Sequence, residues 1–270
     1  MTLNEAEKIL EAAGIDDARH EARIIFATVG GEPLYKLLTP SYKTESEEAI
    51  KAVYRRADRE PLAYIIGSID FYNESYIVTP DCLIPRSDTE LLVDIAVSMI
   101  PDGESFIDIG TGSGCVALST LRNTKNTTAL AVDISEGALS VAKKNAELLG
   151  VSDRVKFLLA DATLAPVCDR VFAVLSNPPY VADECYKTLE PEIFKEPKSA
   201  FVGGNDGGDF YRVLTPLYRD IIDPKGFIAY EIGFDQADML RSIAEENKMS
   251  CRIYKDMGAR DRVALLRPLI

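Results

Sequence analysis

The sequence contains a single histidine, His20, and no tryptophan. His20 lies in an alanine-rich helical stretch, far from any nucleophile signal, so a Ser-His-Asp triad is disfavoured. A zinc site is disfavoured for the same reason. The five cysteines are widely spaced and form no CxxC pair, which favours reduced thiols. We therefore expect no bound metal.

Long apolar runs and basic clusters are also missing. No stretch approaches the roughly 18 consecutive apolar residues of a membrane span, and the acidic N-terminus lacks the pattern of a secretory signal. We expect a cytoplasmic protein without a membrane partner. Acidic residues outnumber basic ones 43 to 30, giving a net charge of −13. Because phosphate neutralisation dominates nucleic-acid affinity, this charge favours a small-molecule or protein substrate over direct nucleic-acid binding.

Three regions follow one another along the 270 residues. In residues 1–62 apolar residues recur at helical spacing, with breaks at Gly14, at Gly30 and before Pro61, which predicts a small helical bundle. Residues 63–84 are predicted to be extended, including residues 64–67, and to form a β-hairpin linker. Residues 85–270 form the third region, in which strands and helices alternate.

The alternation indicates an open, mainly parallel sheet with helices on its faces. Five strands are predicted, followed by two late strands joined by a turn. They cover residues 106–109, 129–132, 155–159, 172–175, 226–230, 251–254 and 262–266. Ligands in such sheets bind at the carboxyl ends of the strands, so we searched for chemistry there.

A glycine-rich loop follows the first of these strands and opens a helix. Its residues are Gly110, Thr111, Gly112, Ser113 and Gly114. Glycine lets the backbone turn sharply and approach a ligand closely. Asp133, at the end of the second strand, is placed to accept hydrogen bonds from ribose hydroxyls. Asp161 follows the third strand beside Ala162 and is placed to reach an adenine edge. Together these positions predict an adenosine-type cofactor.

Four residues after the fourth strand carry the most specific signal. They are Asn177, Pro178, Pro179 and Tyr180. Proline has no N–H, so this turn offers carbonyl acceptors with few competing donors, and Asn177 adds a side-chain acceptor. Tyr180 supplies an aromatic face. The arrangement suits a planar nitrogen that bears two hydrogens, either a side-chain amide or a nucleobase amino group.

The glycine loop, Asp133 and residues 177–180 resemble those of the class I S-adenosylmethionine-dependent methyltransferases that act on planar nitrogens. Residues 84–90 (Ile-Pro-Arg-Ser-Asp-Thr-Glu) and 203–208 (Gly-Gly-Asn-Asp-Gly-Gly) resemble motifs of the release factor glutamine methyltransferases, the HemK/PrmC family. The resemblance covers nearly the whole chain. Two departures are Ser87, where the family usually has proline, and Gly208, where it usually has leucine.

This resemblance implies a Rossmann-like α/β methyltransferase domain with a seven-stranded mixed sheet, preceded by a helical substrate-recognition domain and the hairpin linker. The implied reaction transfers a methyl group from S-adenosylmethionine to the N5 amide nitrogen of glutamine in the Gly-Gly-Gln motif of peptide chain release factors. The resemblance also implies that residues 177–180 bind the substrate glutamine and that Asn177, Pro178 and Tyr180 are the catalytic residues. The glycine loop, Asp133, Asp161, Ala162 and Asn177 bind the cofactor, and a monomer is expected.

Several roles remain open at this stage. Arg86 and Glu90 either orient the substrate loop or form a structural ion pair. Glu231 either faces the pocket or lies on a solvated rim, and Tyr211 is expected to pack rather than react. The alternative substrates are a glutamine of a ribosomal protein and, less favoured, an adenine amino group of a nucleic acid, which would require base flipping and phosphate contacts.

Overall fold

The structure is a computed structural model that describes residues 1–269, and the chain divides into two compact units. The first unit contains Met1–Ser68 together with a separate segment, Glu190–Glu196. The second unit contains Ile69–Leu189 and Pro197–Ile270.

The first unit is helical. Its α-helices are α1 (Leu3–Ala12), α2 (Ala18–Thr28), α3 (Glu47–Ala57) and α4 (Leu62–Ile66). Short 3-10 helices cover Leu34–Leu38 and, in the separate segment, Pro191–Lys195. The core consists mainly of small and aliphatic side chains at helical spacing, together with Phe26, which is why the bundle could be predicted from periodicity.

Buried charges connect the separate segment to the rest of this first unit. The Arg56 guanidinium, whose side chain is 8% exposed, binds Glu21 and also donates from Nη1 to Glu192 Oε1 at 2.8 Å. Arg59 Nη2 donates to Glu192 Oε2 at 2.7 Å. These two arginines hold the pKa of Glu192 below its ordinary value although burial opposes them.

The prediction of extended structure at residues 64–67 is wrong. Residues Leu62–Ile66 form α4, which follows Pro61 and ends at Gly67 with φ of 84°. Tyr64 and Ile65 suit a strand by type, but both are buried on the helix and Ile65 packs in the core of the first unit. Tertiary burial therefore overrides the β-propensity of this stretch.

The hairpin is shorter than predicted, with β1 at Ser68–Phe71 and β2 at Glu74–Ile77. Phe71 and Tyr76 belong to an apolar cluster of the second unit. Tyr76 also shares a 2.6 Å hydrogen bond with the Ser119 hydroxyl. From Ile69 onward, the hairpin therefore packs as part of the second unit.

The second unit is built on a seven-stranded mixed sheet with strand order β5-β4-β3-β6-β7-β9-β8. The strands are β3 (Ser105–Ile109), β4 (Thr128–Asp133), β5 (Val155–Leu159), β6 (Val171–Ser176), β7 (Ile222–Glu231), β8 (Met249–Lys255) and β9 (Asp261–Pro268). The first five are parallel, and β9 pairs antiparallel with β7 and β8. The predicted Rossmann-like fold class is confirmed.

Helices cover both faces of this sheet. They are α5 (Glu90–Met99), α6 (Cys115–Arg122), α7 (Glu136–Leu148), α9 (Asp209–Arg219) and α10 (Ala237–Glu246), and the short α8 (Asp183–Tyr186) follows β6 along the chain. Alternate residues of each central strand enter different clusters: Ala173 and Leu175 join one, and Val174 joins the other. All six residues of β6 are buried, as expected for a central parallel strand. None of the helices formed by residues 1–269 has both the length and the apolar character that a bilayer crossing requires.

Candidate active site

A cavity of about 370 Å³ lies at the carboxyl ends of β3, β4, β5 and β6 in the second unit. The predicted site residues that line it are Gly110, Gly112, Asp133, Asp161, Ala162, Asn177 and Pro179. Its size falls within the roughly 300–1,000 Å³ of small-molecule sites. The sheet therefore brings part of each predicted half of the site to one pocket: Gly110 and Gly112 of the glycine loop, and Asn177 and Pro179 of residues 177–180. The other predicted residues of these two segments do not line it; they are Thr111, Ser113, Gly114, Pro178 and Tyr180.

The glycine loop leaves space for a ligand. Gly110 and Gly112 have φ of 71° and 56°, and a Cβ added at either would meet no atom within 4 Å. Because both residues line the cavity, their missing side chains leave its wall open. This opening and the two aspartates beyond it fit an adenosine-type cofactor.

Asp108 fixes the glycine loop through hydrogen bonds. Its Oδ2 accepts hydrogen bonds from the Thr111 hydroxyl at 2.6 Å and from the Ala117 N–H at 3.2 Å. The pKa of this carboxyl is raised to about 7, chiefly by burial and to a smaller extent by the Asp133 charge, while the two hydrogen bonds oppose the change. Asp108 lies in the predicted strand 106–109, and the sequence analysis gave it no role; its burial and its hydrogen bonds to the loop reveal one.

Asp133 contacts the backbone as well as the cavity. Its Oδ2 accepts from the Gly112 N–H at 2.9 Å, and its Oδ1 accepts from the Ser135 N–H at 2.9 Å. The Ser135 hydroxyl in turn caps α7 by accepting from the Ala138 N–H at 3.1 Å. Asp133 therefore orders the glycine loop and the start of α7 while it also lines the cavity.

Asp161 is similarly tied to its neighbour. Its Oδ1 accepts from the Thr163 N–H at 2.9 Å and from the Thr163 hydroxyl at 2.6 Å. These hydrogen bonds lower the pKa of Asp161 below its ordinary value, so the carboxylate facing the cavity is charged at neutral pH.

The side-chain amide of Asn177 is held by a hydrogen bond from its nitrogen atom. Its Nδ2 donates to the Thr89 hydroxyl oxygen at 3.2 Å, and no residue in 1–269 is recorded as donating to its Oδ1. Asn177 therefore offers the acceptor that the sequence analysis assigned to it. Thr89 lies in the Asp-Thr-Glu motif, where its role was not anticipated.

The hydroxyl group of Tyr180 is held by a hydrogen bond. Its hydroxyl donates to Glu231 Oε1 at 3.2 Å, and burial raises the pKa of Tyr180 well above its ordinary value. Glu231 is 1% exposed, so the solvated-rim alternative for this residue is wrong. The buried carboxyl of Glu231 faces the motif instead.

The glycine-rich segment at residues 203–208 packs against the backbone of residues 177–180. A Cβ at Gly203 would collide with the Pro179 carbonyl oxygen, and one at Gly207 would collide with that of Tyr180. Gln236 Nε2 donates to the Tyr180 carbonyl at 3.0 Å. Gln236 is a site residue that the sequence analysis missed, because nothing local marks it.

The remaining predicted residues support the site from nearby. Glu90 Oε1 accepts from the Tyr72 N–H at 2.8 Å and so connects the β1–β2 turn to the first residue of α5. Arg86 is half-buried, and its carbonyl accepts from the Thr89 N–H at 3.0 Å. Tyr211 is fully buried and its hydroxyl donates to the Glu231 carbonyl at 2.9 Å, in keeping with the packing role expected for it.

The two departures from the family pattern are also explained locally. Ser87 is exposed at the first position of the 3-10 turn Ser87–Thr89. A Cβ at Gly208 would collide with the Met239 sulfur and approach Arg212 Nη1 at 2.8 Å. Met239 and Arg212 therefore occupy the space that a larger residue at position 208 would need.

The fold and this two-part site define a class I S-adenosylmethionine-dependent methyltransferase. Residues 87–215 match the model of the methyltransferase small domain, and residues 2–67 match that of the PrmC N-terminal domain. The chain is 35% identical to the release factor glutamine methyltransferase of Caulobacter vibrioides over 96% of this chain and 93% of that protein. It is 34% identical to that of Geobacter sulfurreducens over 94% of this chain and 91% of that protein. The chain belongs to the release factor glutamine methyltransferase family.

A solved structure agrees on the fold. The ribosomal protein L11 methylase of Lactobacillus delbrueckii subsp. bulgaricus superposes with a TM-score of 0.52 at 18% identity, covering 71% of this chain and 84% of that one. At this identity the similarity concerns the fold alone.

Proposed function

We propose that this enzyme transfers a methyl group from S-adenosylmethionine to the N5 amide nitrogen of the glutamine in the Gly-Gly-Gln motif of release factors. The observation that carries the proposal is the Asn177 amide, which lines the cavity and is anchored through Nδ2. Its oxygen is left to accept a hydrogen bond from a substrate N–H. Family membership makes the release factor the expected source of that group.

Cofactor binding rests on the first half of the site. Gly110, Gly112, Asp133, Asp161 and Ala162 line the cavity. Thr111, Ser113 and Gly114 complete the glycine loop. When bound, the cofactor supplies a sulfonium methyl group as the electrophile. Asp133 is placed to accept from ribose hydroxyls, and Asp161 is placed to accept from the adenine amino group.

Substrate activation rests on the second half. An amide nitrogen is a poor nucleophile because its lone pair is delocalised into the carbonyl group. Asn177 Oδ1 and the Pro178 carbonyl accept its two N–H bonds and orient the lone pair toward the methyl group. They also stabilise the positive charge that grows on nitrogen, while Pro179 and Tyr180 confine the flat amide. No strong base is required first, because the N–H becomes acidic only as the new N–C bond forms.

The other parts of the chain receive roles in substrate recognition. The helical unit is assigned to the release factor, and Arg86 and Glu90 to the loop beside the bound glutamine. We infer a monomeric enzyme that acts in the cytoplasm on translation termination factors and needs neither metal nor nucleic acid.

The test uses radiolabelled S-adenosylmethionine with four acceptors in parallel. They are a release factor, its Gln→Ala variant at the Gly-Gly-Gln motif, a ribosomal-protein mixture and duplex DNA. Label on the intact release factor alone is expected. Label on DNA or on the Gln→Ala variant would refute the assignment, and label on the ribosomal proteins alone would move the substrate to the alternative class.

The Asn177→Ala variant tests the acceptor argument. We expect kcat to fall by at least 10²-fold, in the range of losses for single transition-state hydrogen bonds, with cofactor affinity nearly unchanged by calorimetry. Asn247→Ala is the matched control because Asn247 Nδ2 also donates a single 2.7 Å hydrogen bond, to the Ile243 carbonyl at the end of α10. Equal turnover in the two variants would show that Asn177 does not act on the substrate.

A further inference from the structure

Residues 181–202 form a connecting segment that begins directly after the substrate motif, residues 177–180. Hydrogen bonds close the base of this segment. The Val181 N–H donates to the Phe201 carbonyl at 2.8 Å, and the Gly203 N–H donates to the Val181 carbonyl at 2.9 Å. The two ends of the connecting segment are therefore held together next to the substrate motif.

The middle of the connecting segment belongs to the helical unit. Glu190–Glu196 is part of the first unit, whereas the chain from Pro197 onward is part of the second. Within the first unit, Glu192 accepts from Arg56 Nη1 at 2.8 Å and from Arg59 Nη2 at 2.7 Å. The Glu192 side chain is 17% exposed and that of Arg56 is 8% exposed, so water competes little for this ion pair.

Arg59 is held in a backbone conformation that L-residues rarely adopt. Its φ is 64°, in the left-handed region, where the Cβ crowds the following carbonyl oxygen. Its Nη1 donates to the carbonyls of Ala13 at 3.1 Å and Gly14 at 2.7 Å, while its Nη2 binds Glu192. Because such strain persists only where the surrounding contacts over-determine it, Arg59 and Glu192 form a fixed point of the first unit.

The backbone that leaves this fixed point is stiff. Glu192 lies in the 3-10 turn Pro191–Lys195. Glu196 is extended, with φ of −91° and ψ of 162°, as expected for a residue that precedes proline. Pro197 has φ of −61°, which its ring fixes, and it leads directly into the 3-10 turn Lys198–Ala200. Few dihedral angles are therefore free to rotate between Glu192 and this second turn.

The residues beyond this stiff backbone form part of the cavity wall. Pro197, Ser199 and Ala200 line the cavity together with Asn177 of the substrate motif. All residues that line the cavity belong to the second unit, so Glu192 is not among them. Its connection to the wall is the backbone that follows it.

We propose that Glu192 is a positioning residue for the cofactor cavity. By binding Arg56 and Arg59, it fixes the stiff backbone that places residues 197–200 in the cavity wall, and it thereby raises the affinity for S-adenosylmethionine. The inference rests on the proposed function for the identity of the cofactor. A charge cluster in the helical unit thus controls affinity in a cavity that it does not line.

The experiment measures the affinity of full-length variants for S-adenosylmethionine by calorimetry, without a methyl acceptor. Glu192→Gln keeps the shape of the side chain and removes the charge that binds both arginines. We expect its Kd to rise about fivefold to tenfold, within the range of known coupling between sites. Glu21→Gln is the matched control, because Glu21 also binds Arg56 and its side chain is likewise 17% exposed. Its Kd should match that of wild type.

Hydrogen exchange of backbone amides gives a second readout that does not involve the cofactor. The Ala200 and Phe201 N–H groups donate within the 3-10 turn of the cavity wall at 2.9 and 3.0 Å. Both amides should exchange faster in Glu192→Gln than in Glu21→Gln, because only the first variant releases the backbone that leads into this turn. The two variants should lose similar unfolding free energy in urea, so a general loss of stability does not produce this difference.

A double-mutant cycle tests the stiff backbone itself. Pro197→Gly frees φ at position 197, and it should weaken cofactor binding because Pro197 lines the cavity. When Glu192→Gln is added to Pro197→Gly, it should change Kd less than it does in wild type, since the freed backbone no longer transmits the position of Glu192. Additive effects of the two changes would overturn the inference.

Equal affinity in Glu192→Gln and Glu21→Gln also overturns the inference, as do equal exchange rates at residues 200 and 201. If Glu192→Gln does not fold, Arg59→Gly decides the question, because glycine adopts φ of 64° without strain and leaves Glu192 without one of its arginines. Unchanged affinity in that variant would contradict the positioning role. A wild-type enzyme that binds S-adenosylmethionine but labels no release factor refutes the proposed function and leaves this inference standing.

Discussion

The two halves of the active site are held together in different ways. The glycine loop is fixed by carboxylates close to it: Asp108 binds Thr111 and Ala117, and Asp133 binds Gly112. The substrate motif is fixed by residues far along the chain, with Thr89 lying 88 positions from Asn177 and Gln236 lying 56 positions from Tyr180. The cofactor half is therefore a local structure, whereas the substrate half depends on the packing of the whole second unit.

The largest effect is expected from a steric clash that distorts residues 177–180, the substrate half of the site. Gly203→Ala places a Cβ against the Pro179 carbonyl oxygen, so the motif backbone must shift. We expect kcat to fall by about 10²-fold or more, with cofactor affinity retained when both are measured on the same preparation. Gly258→Ala, in a turn where the nearest atom to the new Cβ is Asp256 Oδ1 at 3.2 Å, is the control. Full activity in Gly203→Ala would contradict the close packing of the two segments.

Removal of Gln236 tests the same half through hydrogen bonding. Its side chain donates to the Tyr180 carbonyl and accepts from the Gly233 N–H at 2.9 Å and the Tyr211 hydroxyl at 3.2 Å. Gln236→Leu removes the partner of the Tyr180 carbonyl and of the Gly233 N–H, while the Tyr211 hydroxyl keeps its hydrogen bond to the Glu231 carbonyl. We expect a loss of about 3 kcal/mol in unfolding free energy. Urea denaturation measures the loss. A change below about 0.5 kcal/mol would show that water replaces the glutamine.

The cofactor half is tested through the pH dependence of stability. The pKa of Asp108 is raised to about 7, above its unfolded value, so its contribution to stability is complete at low pH and is lost as pH rises toward 7. Asp108→Asn removes this titration. The unfolding free energy of the variant minus that of wild type should therefore increase by about 3 kcal/mol between pH 4 and 7, since each pKa unit corresponds to about 1.4 kcal/mol. A difference that is constant with pH would show that Asp108 titrates normally.

The smallest effect sharpens the comparison with a pair of helix caps. Ser135 caps α7 at the cofactor loop, and Ser46 caps α3 in the helical unit, each accepting from a backbone N–H at 3.1 Å. Alanine at either position should lower the unfolding free energy by about 1 kcal/mol. Only Ser135→Ala should also weaken cofactor binding, about twofold to threefold by calorimetry. Equal cofactor affinity in both variants would limit Ser135 to its helix.

The same contrast explains what could be predicted from the sequence. The glycine loop, Asp133 and the alternation of strands and helices in a mainly parallel sheet follow from local patterns and from rules of chain connection. Thr89, Glu231 and Gln236 could not be assigned, because their roles arise from contacts between distant elements. The prediction for residues 64–67 was wrong for the same reason, because burial in the first unit decided between strand and helix.

The division of the first unit into two stretches has a consequence for modularity. Glu192 and the turn Pro191–Lys195 belong to the helical unit, yet they are encoded after Tyr180 of the substrate motif. A fragment that ends at Ser68 lacks this turn and leaves Arg56 and Arg59 without Glu192. The helical unit is thus formed by two separate segments of one sequence, residues 1–68 and 190–196. A chimera that exchanges only residues 1–68 between relatives must also exchange residues 190–196 to restore the buried charge cluster.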